Sequence, residues 1–373
     1  MHNRRVLQGS TQGASPILQI ARRRWLAAVA LAALALGCAS CSTVGYYAQA
    51  VQGHFALLAA ARPIPEWLDD PATPDDLKRR LQRAQKMRAF ASHDLGLPDN
   101  RSYTSYADLK RPAAVWNVFA APELALTLKT WCYPLFGCVG YRGYFHLAGA
   151  EQFAAQLRAE GFEVNVAPVP AYSTLGWFDD PLLNTFISQS EGEVARLIFH
   201  ELAHQVVYAK DDTAFNESFA TTVERVGVRR WLAAESDAAA RATYALQEQR
   251  RNDFLGLLRA HRDLLAENYA RDAADDDKRA HKREIFAALQ AAYLKVKAER
   301  WGGWGGYDRY FAQALNNAHL AAIGAYNDLV PAFEALLHAE GDDLPRFYLR
   351  VKKLADEDRE QRTRELQEAL QAR

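Results

Sequence analysis

Apolar residues recur every three to four positions over most of this chain, and the places where that rhythm changes mark its organisation. After Ser190, the residues Val194, Leu197, Ile198 and Leu202 fall on one side of a helix, since a period of 3.6 brings such positions to one face. Ser190-Glu191-Gly192-Glu193 reads as a capping box, with Ser190 as N-cap and Glu193 at N3. From 190 onward the pattern predicts helix after helix. Glycine is nearly absent between 233 and 300, where Gly256 stands alone. Between 112 and 178 the rhythm shortens. Ala114–Phe119, Val139–Phe145 and Val164–Val169 are rich in Val, Tyr, Phe and Trp and read as strands, with a helix at Ala150–Ala159 between the last two. Residues 46–110 read as mainly helical, with a charged amphipathic stretch at Thr73–Ala91. The fold expected is α+β and predominantly helical, with a small β-sheet preceding the 190–204 helix and a helical C-terminal half.

The chemistry sits on that helix. His200-Glu201-Leu202-Ala203-His204 places two imidazoles at i and i+4, one above the other, where they can share one zinc ion. Glu201 beside them is placed to act as general base on a water activated there. A catalytic zinc site takes three protein ligands, so a third is required. A His at 210 after a Gly at 207 would supply it in one class, but the chain has Val207 and Lys210. Glu217 and Glu224 lie on the next helical stretch, which begins near Asp212-Thr213 after a short Tyr208–Asp211 connection. Seven residues apart, they share a face.

Asn216-Glu217-Ser218-Phe219-Ala220 resembles the N-E-x-x-A segment of thermolysin-like and aminopeptidase N-like enzymes. That resemblance makes Glu217 the third ligand and leaves Asn216 and Glu224 as supporting residues around it. The linker from His204 to Glu217 is shorter than in either family. Residues 45–54 (GYYAQAVQGH), 137–145 (GCVGYRGYF), 171–178 (AYSTLGWF) and 200–220 together resemble a family of bacterial lipoproteins described as putative aminopeptidases. The resemblance covers nearly the whole mature chain and implies a zincin-like fold and a zinc-dependent, gluzincin-like peptidase acting on peptides. Zincin peptidases often use a Tyr or His to bind the tetrahedral oxyanion. Tyr307, Tyr310 and Tyr326 are candidates, with Tyr326 preferred because it lies in a helical stretch.

Ala171–Phe178, ending in Asp179-Asp180-Pro181, reads as an extended edge segment beside which a peptide could pair by strand addition. Ser173, Thr174 and Gly176 would line it, and Asp179 or Asp180 would hold a substrate ammonium. The chain lacks the G-x-M-E-N signature with which aminopeptidase N-like enzymes hold that group. An endopeptidase, or an inactive zinc-retaining binding protein, is the alternative.

Composition narrows the setting. With 45 Lys+Arg against 45 Asp+Glu, 49% hydrophobic and 24% charged residues, the chain is an ordinary globular one. Its zero net charge argues against a general nucleic-acid-binding role. Arg22-Arg23-Arg24 precede the uncharged run Trp25–Gly37, too short to span a bilayer but suited to a signal peptide over residues 1–37. Cys38 and Cys41 follow at once. Their setting resembles a lipobox, so Cys41 or Cys38 is expected to carry a lipid that anchors the chain in the cell envelope, facing the periplasm. Neither cysteine precedes Asp, which by resemblance favours the outer membrane. In such a compartment Cys132 and Cys138, with five residues between them, suit a disulfide. The mature chain then divides into an α+β part at 42–189 and a zinc-binding helical part at 190–351 of one catalytic unit. A charged, exposed helical tail is expected at 352–373.

Overall fold

A computed structural model describes residues 44–133, 137–327 and 329–372, with the backbone alone at 324–327. Cys38 and Cys41 lie outside the described residues. The chain forms two compact units that meet in sequence at Gly53–His54. Residues 44–53, the described part of the first, are helical. The second unit carries everything that follows, and it is α+β and predominantly helical with small sheets.

The strands all precede the motif helix. Helix α1 (residues 54–59) leads into β1 (Ala61–Pro63), α2 (Ile64–Asp69) and α3 (Asp75–His93). Strand β2 (Ser105–Ala107) pairs antiparallel with β1 and parallel with the two-residue β8 (Leu182–Leu183). Strand β3 (Val115–Ala121) is the centre of a second sheet, flanked antiparallel by β6 (Arg142–Tyr144) and β7 (Glu163–Val169). Helix α4 (Leu147–Ala159) joins those two flanks. Every residue of β3 is buried, and its Val, Trp, Phe and Ala side chains explain why it reads as an unbroken apolar run rather than an alternating one. Between them, β4 (Trp131–Tyr133) and β5 (Gly137–Val139) form a hairpin closed by the Cys132–Cys138 disulfide.

From 191 the chain is helical: α5 (Glu191–His204), α6 (Thr213–Glu235), α7 (Ala238–Ala270), α8 (Asp275–Glu299), α9 (Asp308–Phe311), α10 (Asn317–Asn327), α11 (Val330–Ala339), α12 (Leu344–Asp356) and α13 (Arg359–Gln371). Two cores organise them. One packs Phe199 of α5 and Phe215, Phe219 and Trp231 of α6 with Leu81 and Met87 of α3 and with Phe333 and Phe347 of the last helices. The other fills the α7–α8 hairpin with Leu258, Leu265, Leu289 and Tyr293, closed by Trp301 and Phe311. Trp301, in the glycine-rich stretch after α8, is buried and its indole N–H donates to Asp253 at 3.0 Å. That stretch is a packed helix-to-helix loop.

Two local expectations change. Helix α5 begins at Ser190 as the capping box predicts, but the reciprocal side-chain bonds are not made. Ser190 Oγ donates to Gln247 at 2.7 Å, and Glu193 is taken by Arg196 at 3.0 Å and by Arg251. Charge-assisted pairing outcompetes a neutral N–H for the Glu193 oxygens. The C-terminal segment is helical but not simply exposed. Val351, Leu354 and Leu366 are buried, and the Arg362 guanidinium forms a buried ion pair with Asp212 at 3.0 Å.

Candidate metal centre

Helices α5 and α6 pack side by side and present His200, His204 and Glu217 to one point. Helix α5 is fixed first. Its Glu191 accepts from Arg83 of α3 at 2.5 Å and from the Trp231 indole of α6 at 2.8 Å, and it also bonds Ser236. A carboxylate in the first turn also suits the positive end of the helix dipole. At the other end, Asp212 caps α6 by accepting from the Phe215 N–H at 3.2 Å. Asn216 pins the connection between the helices. Its amide donates to the Ala209 carbonyl at 2.8 Å and its oxygen accepts the Ala209 N–H at 2.7 Å. The brief connection is therefore pinned at Ala209 by the Asn216 side chain and at Asp212 by its own cap, and Glu217 emerges one turn inside α6 facing the histidines.

The donor atoms converge. His200 Nε2 lies 3.1 Å from His204 Nε2 and 3.2 Å from Glu217 Oε2, and His204 Nε2 lies 3.7 Å from the same carboxylate oxygen. A tetrahedral ion with bonds of about 2.1 Å spaces its ligand atoms by about 3.4 Å, within this spread. Two imidazoles and a carboxylate are a donor set that fits a divalent metal, and these three residues can hold one. Glu224, two turns beyond Glu217, takes the opposite nitrogen of His200: Nδ1 to Oε2 is 2.8 Å. It thereby fixes the ring so that Nε2 points into the site, the part an outer carboxylate plays for a metal-bound imidazole. Arg196, one turn before His200, reaches Glu224 at 3.4 Å and Glu193 at 3.0 Å. His204 Nδ1 is buried with no partner among the described residues.

Electrostatics describe the same centre. Burial pulls the His200 pKa down, but its bonds to Glu217 and Glu224 and their charges lift it to about 10. Burial pushes the Glu217 carboxyl up, yet the His204 and His200 imidazoles hold it far below its usual value. Glu224 is also held low against burial, chiefly by Arg196.

Glu201 is half-buried beside the ligands and takes no part in the ligand group. Its surroundings come from the N-terminal half. Asp180 is fully buried, and burial with the charges of Glu201 and Asp179 pushes its carboxyl up to about 7 against a hydrogen bond from Thr174. Tyr103, also buried, is raised well above the usual phenol range by burial and by Glu201 and Asp180. Sequence reading missed both in this role, because neither burial nor proximity across the chain has a local signal.

The other expected site residues fall as follows. Residues 174–178 do not run extended. Trp177 N–H returns to the Thr174 carbonyl at 3.1 Å, Phe178 N–H to Thr174 Oγ1 at 3.0 Å, and Leu175 N–H to Ser173 Oγ at 3.3 Å. Leu175 and Gly176 have φ of 56° and 82°. The segment is a tight turn rather than an edge strand, because its hydroxyls satisfy its own N–H groups. Gly176 is needed there: a Cβ would come within 3.2 Å of the Gln205 side chain, directly after His204. Asp179 pairs with Arg101 at 3.3 Å, and Asp180 is sealed inside. Tyr310 is half-buried with its hydroxyl inside, and Tyr307 stacks on Phe254 at 4.0 Å. The Tyr326 side chain lies outside the described residues. A tyrosine that sequence reading passed over, Tyr208, stands one turn's spacing after His204. Burial raises its phenol, followed by the charges of Glu217 and Asp211.

No curated protein and no solved structure matches this chain. A family model described as Putative aminopeptidase matches residues 45–366, nearly the whole chain, and the chain belongs to that family.

Proposed function

We propose that this protein is a zinc-dependent peptidase of the cell envelope that removes residues from free amino termini. The observation that carries it is the convergence of His200, His204 and Glu217 on one point with Glu201 beside them, in a chain of an aminopeptidase family. Zinc is the ion that suits two imidazoles and one carboxylate with a position left open. Held there, it would supply Lewis acidity, polarising the scissile carbonyl and making water a better acid.

The chain's own residues do the rest. Glu201 takes the proton of the attacking water and delivers it to the leaving amine, so one carboxylate serves both halves of the hydrolysis. Glu224 keeps the His200 ring oriented, and Arg196 keeps Glu224 charged. Tyr208, within the field of the Glu217 charge, joins Tyr326 as a candidate to donate to the carbonyl oxygen as negative charge develops on it.

The same reading places the mature chain on the membrane through a lipid on Cys41 or Cys38. No helix of the described residues is long and apolar enough to cross a membrane. Palmitate labelling of wild type, Cys38→Ser and Cys41→Ser tests the anchor, and absence of label in wild type would remove it. For the reaction, the test is a peptide and its N-acetylated twin incubated with zinc-loaded protein. Only the free peptide should be cut, one residue at a time. Equal cutting of both would make this an endopeptidase. No cutting of any member of a mixed peptide library would leave a zinc-retaining binding protein.

A further inference from the structure

Among the exposed apolar side chains, one group gathers around a single ring. Trp177 is 68% exposed, Phe178 45% and Phe55 57%. The last two flank the His54 ring, with centroids 4.5 Å and 5.3 Å away. His54 in turn bonds the Tyr172 hydroxyl at 3.1 Å, and Tyr172 packs on Phe145 at 5.2 Å. A row of rings therefore runs from the interior to the surface and ends in Phe178, with Trp177 beside it in sequence.

The backbone that displays these rings is built to stay put. Three hydrogen bonds close the turn on Thr174: from the Trp177 and Phe178 N–H groups, and from Thr174's own N–H to Asp180 Oδ2 at 2.8 Å. Leu175 is held at positive φ, a conformation that a β-carbon resists and that surrounding structure must enforce. The middle of the turn packs beside the motif helix. Gly176 lies against Gln205, the residue after His204, and Asp180 lies within the field of Glu201.

We propose that the Trp177–Phe178 turn is a preformed aromatic platform that receives a bulky apolar side chain of the peptide substrate next to the scissile bond. The proposal rests on the peptidase reading and names its substrate class: peptides with Phe, Tyr or Leu at that position. Rigid rings already ordered before binding give contact area without loss of side-chain freedom. A bilayer would be the other occupant of exposed aromatics, but the turn lies against Gln205, the residue after His204 at the end of the motif helix.

Peptides differing only in that residue (Phe, Leu, Ala, Glu) test the platform, with kcat/KM measured for wild type, Trp177→Ala and Phe178→Ala. Each substitution should lower the Phe and Leu substrates at least about 10-fold, mainly through KM, and change Ala and Glu less than about twofold. Trp177→Phe should restore most of the Phe preference. Calorimetric affinity of the Glu201→Gln protein for the same peptides reads the platform even if wild type cleaves none of them. Apolar peptides should then bind more weakly when Trp177 is also replaced. Losses equal across all four residues, or none, would overturn the proposal. So would loss of sedimentation with phosphatidylethanolamine–phosphatidylglycerol vesicles in Trp177→Ala with side-chain preference intact, which reassigns the rings to lipid. Failure of wild type to cut any peptide, with the calorimetric preference intact, would fault the peptidase reading alone.

Discussion

The α5–α6 pair and the turn at 171–180 both border Glu201, and they treat buried charge in opposite ways. On α5 and α6 three carboxylates each meet partners: Glu217 the two imidazoles, Glu224 both His200 and Arg196, Glu193 two arginines. In the turn, Asp180 is fully buried with one oxygen on a backbone N–H, and the other has no partner among the described residues. Paired groups fix geometry, and an unpaired one leaves a group whose protonation is easily shifted. The helices hold a constellation still. The turn keeps a titratable neighbour next to the base.

The largest expected effect tests the paired side. His200→Ala, His204→Ala and Glu217→Ala should each abolish tight binding of about one zinc per chain, read by metal analysis after dialysis. Glu224→Ala should retain the metal with affinity lowered about 10- to 100-fold, the usual cost of losing an outer carboxylate. Stoichiometric zinc in Glu217→Ala with none in Glu224→Ala would exchange their roles. Next comes the base. Glu201→Gln should keep the metal while peptide turnover falls at least ~10²-fold, and wild-type turnover in that variant would exclude the mechanism.

A third substitution asks whether the paired side needs its distant support. Arg362→Ala leaves Asp212, the N-cap of α6, as a buried unpaired carboxylate. Thermal or denaturant unfolding should show a loss of about 3 kcal/mol. A change under about 0.5 kcal/mol, the range of ordinary surface substitutions, would mean the pair does not hold α6.

The smallest effect sharpens the unpaired side. The Asp180 carboxyl sits at about 7 in the folded chain, above its ordinary value of 3.8. Between those values the folded state binds more protons than the unfolded. Wild-type stability from this group is thus fully present below pH ~4 and is lost as pH rises through 7. Asp180→Asn has no proton to lose. Its melting temperature relative to wild type should climb from pH 4 to pH 8, and a pH-independent difference would show that Asp180 ionises normally.

The same contrast explains what was legible in the sequence. The candidate metal centre was, because helical spacing carries His200 to His204 and resemblance to an N-E-x-x-A segment singles out Glu217 from Glu224. Arg196 could have been found by the same rule, since it precedes His200 by four residues. The turn was not. Tyr172, Thr174, Trp177 and Phe178 favour strands by composition, and the bonds that return to Thr174, its own bond to a buried Asp180 and Gly176 against Gln205 fold them back. The capping box gave the right start for α5 and the wrong bonds, since Arg251 and Gln247 arrive from α7. Charge also hid the packing of α13. A stretch rich in Arg and Glu looks solvated, and its two anchors, Arg362 and Leu366, are too sparse to form a visible stripe.

The Arg362–Asp212 pair joins positions 150 residues apart, with the ligand helix near one end and the last helix at the other. Contacts that distant form late, because the intervening chain must first be ordered. During synthesis Glu217 emerges well before the guanidinium that steadies the start of its helix. The position of one candidate ligand is thereby held by a helix far along the chain.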